Sequence, residues 1–504
     1  MNNLVAFPVL LPLLSALALL AVRQNSRARR AANLMSLGAQ VLIALLLAAE
    51  AFTQGPQSLL MGAWKAPFGI ALAVDKTSAI FLVLTTTASL FAVLWGYLEK
   101  SVAQSHPLRA PLIQFLAAGT ALAFITGDLF NLFVAFEVLL IASYALMTLE
   151  ADPPAVRHAF PYLAINLFGS ILFVSACGLA YSLFGSLNFA DVSLRAVEMG
   201  SDPRITVLAV MLVLVFGLKA GMFPLFYWLP DSYPMMPPTL VALYSGLLTK
   251  VGVYALFRLL VTMLPGSQSG VYDMLLWLSI PTMVLGVIGA LAKDKIRSIL
   301  SFHIVSQIGY MLLALGLFNA GATAAALLFI IHQVPVKSSL FLIGGTARAL
   351  NGSDRLDRMG NLWVHAPWLG AIWLVQAFSL AGLPPLSGFW GKALIVLEGF
   401  RAQHAVLAGI ALAVSLLTML SMLKIFMAAF WHHDPAVPVN LKYPGWRRMQ
   451  GVTAIIAVLC LGIGFGANTF LGLARSAADE LHDGRAYRSA VLDVAGLKGG
   501  EAKP

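Results

Sequence analysis

The sequence predicts an all-α polytopic membrane protein of about fourteen transmembrane helices, with two inverted five-helix repeats that each contain a broken helix. Composition is the first reason. Of 504 residues, 60% are hydrophobic and 11% charged, and the mean hydropathy is +0.86. A soluble domain carries about 25% charged residues, and one water-soluble core could not hide this much apolar surface. The second reason is run length. A spanning helix needs about 20 apolar residues, and such runs fill nearly the whole chain. The third is where the helix breakers fall: two of the runs are interrupted near their middles.

The runs read as spans at 4–22, 32–53, 74–98, 111–127, 129–149, 158–184, 204–228, 237–263, 271–292, 295–318, 321–350, 366–400, 404–430 and 450–473. The first lacks a basic leader and is followed directly by Arg23, Arg27, Arg29 and Arg30. It is expected to be a retained helix rather than a signal peptide. The basic residues sort by loop. With the N-terminus outside, inner loops collect those four arginines, Lys100, Arg109, Arg157, Lys293, Lys295, Arg297, Arg348, Arg355, Arg358, Lys442, Arg447 and Arg448. Outer loops hold Lys65, Lys76, Arg195, Arg204 and Arg401. The positive-inside rule then places both termini outside. Arg258, near the outer end of its span, is expected to snorkel. The polar tail after about residue 474 is expected to be a surface helix or disordered.

The run 366–400 is too long for one ordinary span, and its middle reads Gly382-Leu383-Pro384-Pro385-Leu386-Ser387-Gly388. Prolines lack the backbone donor and oppose helix continuation. The span 204–228 is interrupted near Gly221-Met222-Phe223-Pro224. Unwound backbone within a membrane is tolerated where protein buries it or a wet cavity meets it. Paired interruptions in two halves of a chain point to a transporter with internal repeats. The repeats are expected at 111–265 and 266–430, after three N-terminal helices in 1–110 and before a last helix and polar tail in 431–504. Lysine spacing supports the pairing, with Lys219 and Lys250 in one unit matching Lys392 and Lys424 in the other. Five helices per unit is an odd number, so the second unit is inverted.

The net charge of +10 in a soluble chain would hint at nucleic acid. Here the basic residues lie in short loops, no aromatic–basic cluster accompanies them, and no nucleic-acid partner is expected. Cys177 and Cys460 each stand alone in an apolar run, which excludes a CxxC motif or a cysteine-only iron–sulfur site. No cofactor or metal is expected. His432-His433 has no further ligands nearby, and Gly462, Gly464 and Gly466 read as a helix-packing surface.

What composition does not explain is charge inside the spans. Lys219, Lys250, Lys337, Lys392, Lys424 and Glu137 all lie within apolar runs. A charge at the bilayer centre costs about 2.5–3.5 kcal/mol on insertion scales, so these groups are expected to line a protonatable path. Lysine suits that task because burial disfavours its charged form while a neighbouring carboxylate favours it. Glu137 and Lys219 would act as a charge switch at a broken helix; the bland alternative is a static ion pair that fixes packing. His332 and Lys337 flank Pro335, and His332 titrates near neutrality in water. His332 is expected to relay protons, against the alternative of a neutral histidine bonded to backbone, and His303 is a further relay candidate.

The runs GDLFNLFVAFEVLLIASYALM (127–147), FGLKAGMFPLFYWLPDSYPMMPP (216–238), LLTKVGVYALFR (247–258) and SLAGLPPLSGFWGK (379–392) resemble those of the antiporter-like subunits of respiratory complex I and the Mrp multisubunit cation/proton antiporters. Within that superfamily the chain is most similar to the D-type Mrp subunits, in its length, its GDLFNLF run and its lysine at 392. The resemblance implies a half-channel in each repeat and a polar midplane axis through Glu137, Lys219, Lys250, His332, Lys337 and Lys392; Lys424, whose long stem could also snorkel, is a candidate from its place in the run alone. It implies a bacterial inner-membrane location, companion antiporter subunits, and exchange of sodium for protons driven by the proton motive force. A proton-pumping subunit of complex I or of a membrane-bound hydrogenase shares the same machinery and is the alternative. A purely structural scaffold is disfavoured by the intramembrane charges.

Overall fold

The computed structural model describes residues 3–22, 26–99, 106–149, 153–265 and 269–492. Arg23 and Lys100, which the loop-charge argument uses, and the chain beyond 492 lie outside them. Helices α1 (Phe7–Ala21) and α2 (Ser26–Gln54) lead into a two-stranded antiparallel ribbon, β1 (Gln57–Leu60) with β2 (Ala71–Val74). Next come α3 (Lys76–Glu99), α4 (Arg109–Ile125), α5 (Leu129–Thr148), α6 (Pro153–Phe184), the short α7 (Phe189–Met199) and α8 (Pro203–Ala220). After α9 (Trp228–Ser232) follow α10 (Pro238–Gly246) and α11 (Leu248–Phe257), which ends in a π-helical turn, Arg258–Met263. The second half holds α12 (Ser269–Leu291), α13 (Ile296–Gly316), α14 (Ala320–Asn351), α15 (Leu362–His365), α16 (Pro367–Ala381), α17 (Ser387–Arg401) and α18 (Ala405–Phe426). The last of these also ends in a π turn, Met427–Trp431. The chain closes with α19 (Trp446–Phe465), α20 (Ala467–Asp483) and α21 (Arg485–Leu492).

Among the described residues, twelve helices are long and apolar enough to cross a membrane, and Arg109–Ile125 and Pro367–Ala381 are shorter apolar helices. Together they fall on the fourteen expected spans. The eighth differs: it kinks at Leu247, whose backbone leaves ideal helical angles (φ −106°, ψ −67°), and so divides into α10 and α11. The ribbon β1–β2 was not expected either, being only four residues per strand between two spans. The most apolar windows of α10–α11, α13 and α14 are 94–100% buried, against 28% for α1. These interior helices also carry the polar side chains, as expected where a polar group facing lipid would be costly.

Both broken helices end in the same way. Gly221 (φ 87°) and Gly382 (φ 90°) take the left-handed conformation that glycine adopts without a Cβ penalty. Met222 N–H donates to the Gly217 carbonyl at 2.8 Å, and Leu383 N–H to that of Phe378 at 3.0 Å. Gly221 and Gly382 N–H also donate to the carbonyls of Leu218 and Ser379, completing Schellman caps. Phe223-Pro224 and Pro384-Pro385 follow in matching register. Aligned on these caps, Lys219 lies before its break, in the last turn of α8, and Lys392 lies after its break, within α17. The similar lysine spacings, 31 and 32 residues, therefore do not mark equivalent positions.

The tail and Arg258 also depart from expectation. Helices α20 and α21 fold back as a clamp: Lys76 Nζ lies 3.5 Å from Glu480, Thr323 Oγ1 2.9 Å from His482 Nε2, and Ser58 Oγ donates to the Ala490 carbonyl at 2.6 Å. Burial holds the Glu480 carboxyl above the usual range and the His482 imidazole below its own. Arg258 does not snorkel. It is 2% exposed and pairs at 2.6 Å with Asp75, itself 1% exposed, beneath the rings of Tyr254 and Tyr487. Arg258→Ala should strand the Asp75 charge and cost about 3–5 kcal/mol. The comparison is the thermal midpoint in detergent, where the double variant Arg258→Met/Asp75→Asn should lose much less than the single one.

Candidate functional site: a buried polar axis

Glu137 projects from α5 and is only partly buried. Ser170 of α6 donates a short hydrogen bond to its Oε1. Lys219 Nζ lies 3.5 Å from the same Ser170 hydroxyl and 4.9 Å from the centre of the Phe136 ring. The acid and the lysine are thus bridged by a hydroxyl, which can accept from one side while donating to the other.

The kink between α10 and α11 positions the next group. Lys250 Nζ donates to the Ser245 carbonyl at 2.8 Å and lies 3.3 Å from Thr249 Oγ1. Helix α14 packs against both α10 and α17, and carries Lys337. Lys337 is fully buried, and its amine has no hydrogen-bond partner among the described residues. Little more than one turn before Lys337 on the same helix is His332, whose Nδ1 meets Ser387 Oγ at 2.8 Å. Ser387 in turn bonds Ser379 at 2.7 Å. These two serines sit on either side of the break between α16 and α17, so the broken helix is tied directly to α14. The approach is close: a Cβ on Gly388 would collide with the Ser379 carbonyl and lie 2.7 Å from His332 Nε2.

Lys392 closes the set. Its amine reaches back 3.3 Å to the carbonyl of Ala381, the last residue of α16, and lies 4.7 Å over the Tyr310 ring. A helix C-terminus carries partial negative charge, which favours a cation there. His303 bonds Ser421 at 2.7 Å. Around α13, α14 and α16, His303 Nδ1, Ser306 Oγ, Gln307 Nε2, His332 Nε2, Gln333 Oε1 and Gln376 Oε1 are buried without a protein partner among the described residues. Buried polar groups of this kind ordinarily bond to water, and the same stretch can pass a proton between titratable groups.

Lys424 does not join this axis. Its amine bonds the carbonyls of Leu291 and Lys293 at 3.0 and 2.8 Å and Asp294 at 3.1 Å, with the side chain 35% exposed. Its partners come from the end of α12 and the residues that follow it, so the amine lies there rather than among the buried groups. Lys424→Ala should reduce exchange less than about twofold, consistent with an exposed ion pair worth under about 1 kcal/mol. The measurement is initial exchange rate per assembled complex.

Sequence reasoning missed the serines at 170, 379 and 387, because serine occurs in helices of every kind and carries no charge signal. It also missed the Asp75–Arg258 pair. Among the described residues no group of three or more His, Cys, Asp or Glu side chains could hold a metal ion.

Residues 126–418 match the family described as NADH:quinone oxidoreductase/Mrp antiporter, transmembrane. The chain is 37% identical over 495 residues to the D subunit of the Na(+)/H(+) antiporter of Bacillus subtilis, covering 98% of this chain and 100% of that one. It is 36% identical over 492 residues to the antiporter D subunit of Alkalihalophilus pseudofirmus, with the same coverage. A chain in the structure of the Mrp complex from Dietzia sp. DQ12-45-1b shares the fold at TM-score 0.90 and 29% identity, over 98% of this chain and 100% of that one. A chain of respiratory complex I from Thermus thermophilus shares the fold at TM-score 0.80 and 23% identity, over 95% of this chain and 99% of that one. This multi-pass membrane protein belongs to the NADH:quinone oxidoreductase/Mrp antiporter transmembrane family.

Proposed function

We propose that the chain is the proton-translocating D subunit of an Mrp-type Na+/H+ antiporter, a secondary transporter driven by the proton motive force in a bacterial inner membrane. Full-length similarity to two antiporter D subunits supports the assignment. The observation that carries the proton path is the run of buried ionisable groups through the interior helices, from Lys219 and Lys250 to Lys337, His332 and Lys392. Glu137 and Lys219, bridged by Ser170, form the switch. Two inverted units, one before and one after residue 266, each contribute a broken helix; the matching Schellman caps and the π turns after α11 and α18 support that reading. Both termini face outside. The interior is dominated by lysines, which repel sodium, so cation entry involves surfaces shared with companion subunits.

This reading is tested by expressing the chain alone, and with its companion subunits, in a host that lacks sodium antiporters. The chain alone should insert but show no sodium-dependent proton exchange in vesicles; the full set should restore both exchange and growth in high sodium. Robust exchange by the chain alone would place the cation site within it and overturn the assignment as chiefly a proton path.

A further inference from the structure

An apolar crevice of about 430 Å³ runs between α3, α14, α19 and the start of α20. Phe91, Ile331, Pro335, Leu459, Gly462 and Phe470 line it, and Thr87 and Ser338 are its only hydroxyl-bearing lining residues. We propose that this crevice is a binding site for one acyl chain of a membrane phospholipid.

Three observations converge on that occupant. The first is depth. The crevice touches α3 from Val83 to Phe91, about 10 to 22 Å along a helix that begins at Lys76. This lies within the hydrocarbon layer of about 30 Å, where the available apolar material is lipid tail. The second is size. A transmembrane helix is about 10–12 Å across, so this volume takes up no more than about one turn of a partner's span. A flexible hydrocarbon chain, being narrower, enters it lengthwise. The third is the glycine run of α19. Gly464 packs tightly, since a Cβ there would lie 2.8 Å from Ser387 N and 2.9 Å from the Pro385 carbonyl. Gly462 is different: a Cβ there meets nothing within 4 Å. Close packing accounts for Gly464, whereas among the described residues nothing fills the space beside Gly462.

The crevice faces α14 at its proline. Pro335 cannot donate the hydrogen bond that the Ile331 carbonyl would receive in a regular helix. Ile331, Pro335 and Ser338 share one helix face by their spacing, and His332 and Lys337 project from other faces. A bound tail would therefore back the weakened turn of α14 with hydrocarbon, without touching the ionisable groups. The site does not depend on which ion the protein carries.

The test uses the full chain, alone and with its companion subunits, in phosphatidylcholine–phosphatidylglycerol vesicles. The vesicles contain a phospholipid with a diazirine midway along one acyl chain. After illumination, labelled peptides are mapped by mass spectrometry. Labelling around Phe91 and Leu459 should exceed, several-fold, that around Leu416, which is 62% exposed on the open face of α18. Gly462→Phe, which fills the crevice, should abolish that excess and leave the Leu416 signal unchanged. Gly462→Leu serves the same purpose if phenylalanine prevents insertion. Gly451→Phe, on the same helix and also with open space around it, should change neither signal. Crevice labelling no stronger than at Leu416 would mean bulk lipid contact and overturn the proposal. So would an excess that survives Gly462→Phe or Gly462→Leu, and so would an excess present in the lone chain but lost in the assembled complex, which would identify a partner protein as the occupant.

Discussion

Vesicles carrying the complete complex with Lys219→Ala should lose proton–sodium exchange by at least about 100-fold, the scale on which a positioned proton-transfer group contributes. Glu137→Ala should do the same. The geometry explains why neither can be spared: one Ser170 hydroxyl donates to Glu137 and lies 3.5 Å from the Lys219 amine. Removing either end leaves the hydroxyl with nothing to relay. Lys219→Arg should also fail, because a guanidinium stays protonated in proteins. It keeps the positive charge and the stacking on Phe136 but cannot release its proton. The measurement is exchange rate per assembled complex, with assembly followed by co-purification of the companion subunits. A merely structural ion pair would show the opposite pattern: less complex, each copy working normally. Normal exchange in either alanine variant would end the switch reading.

Lys392→Ala should be nearly as severe, because it removes the ionisable group that the broken helix α16–α17 carries. Lys392→Glu is more informative. The native amine donates to the Ala381 carbonyl, and a carboxyl can replace it there only when protonated, since a carboxylate accepts but does not donate. Partial exchange should therefore survive in Lys392→Glu and should rise as the pH falls, whereas the alanine variant should stay low at every pH. A pH–rate profile of the two in parallel makes the comparison. Equal and flat profiles would show that position 392 takes no part in proton transfer.

Much of this architecture was readable in advance. The fourteen apolar runs correspond to helices because length and hydropathy alone decide what can span a bilayer. The breaks at Gly221 and Gly382 were visible because glycine followed by proline both permits the left-handed cap and forbids the next helical turn. Lysine is so disfavoured in lipid that Lys337 and Lys250 stood out without any structure. Other features were hidden for physical reasons. Apolar length does not separate the largely exposed α1 from the interior α14, since both are long and apolar enough to cross a membrane, although the α1 window is the more apolar of the two. Arg258 near a helix end looked like a snorkelling residue, since its partner Asp75 lies 183 residues earlier in the chain. Counting from lysine to lysine paired Lys219 with Lys392 and Lys250 with Lys424; counting from the caps separates them. The amphipathic tail carried charge enough to suggest a surface segment, and nothing local revealed that Glu480 and His482 meet the first residues of α3 and α14.

The backbone acceptor of Lys392 has one more consequence. Lys219 faces a counter-charge that chemistry can erase: a proton arriving at Glu137 neutralises it, and the attraction ends. Lys392 faces the carbonyl end of α16, a partial charge made of aligned peptide dipoles, which no proton within the physiological range removes. On the acceptor's side that partial charge is fixed in the backbone, so the pairing weakens only when the amine itself gives up its proton or moves away from the Ala381 carbonyl. One lysine thus has a partner whose charge a proton can cancel, and the other has a partner whose charge is built into the end of a helix.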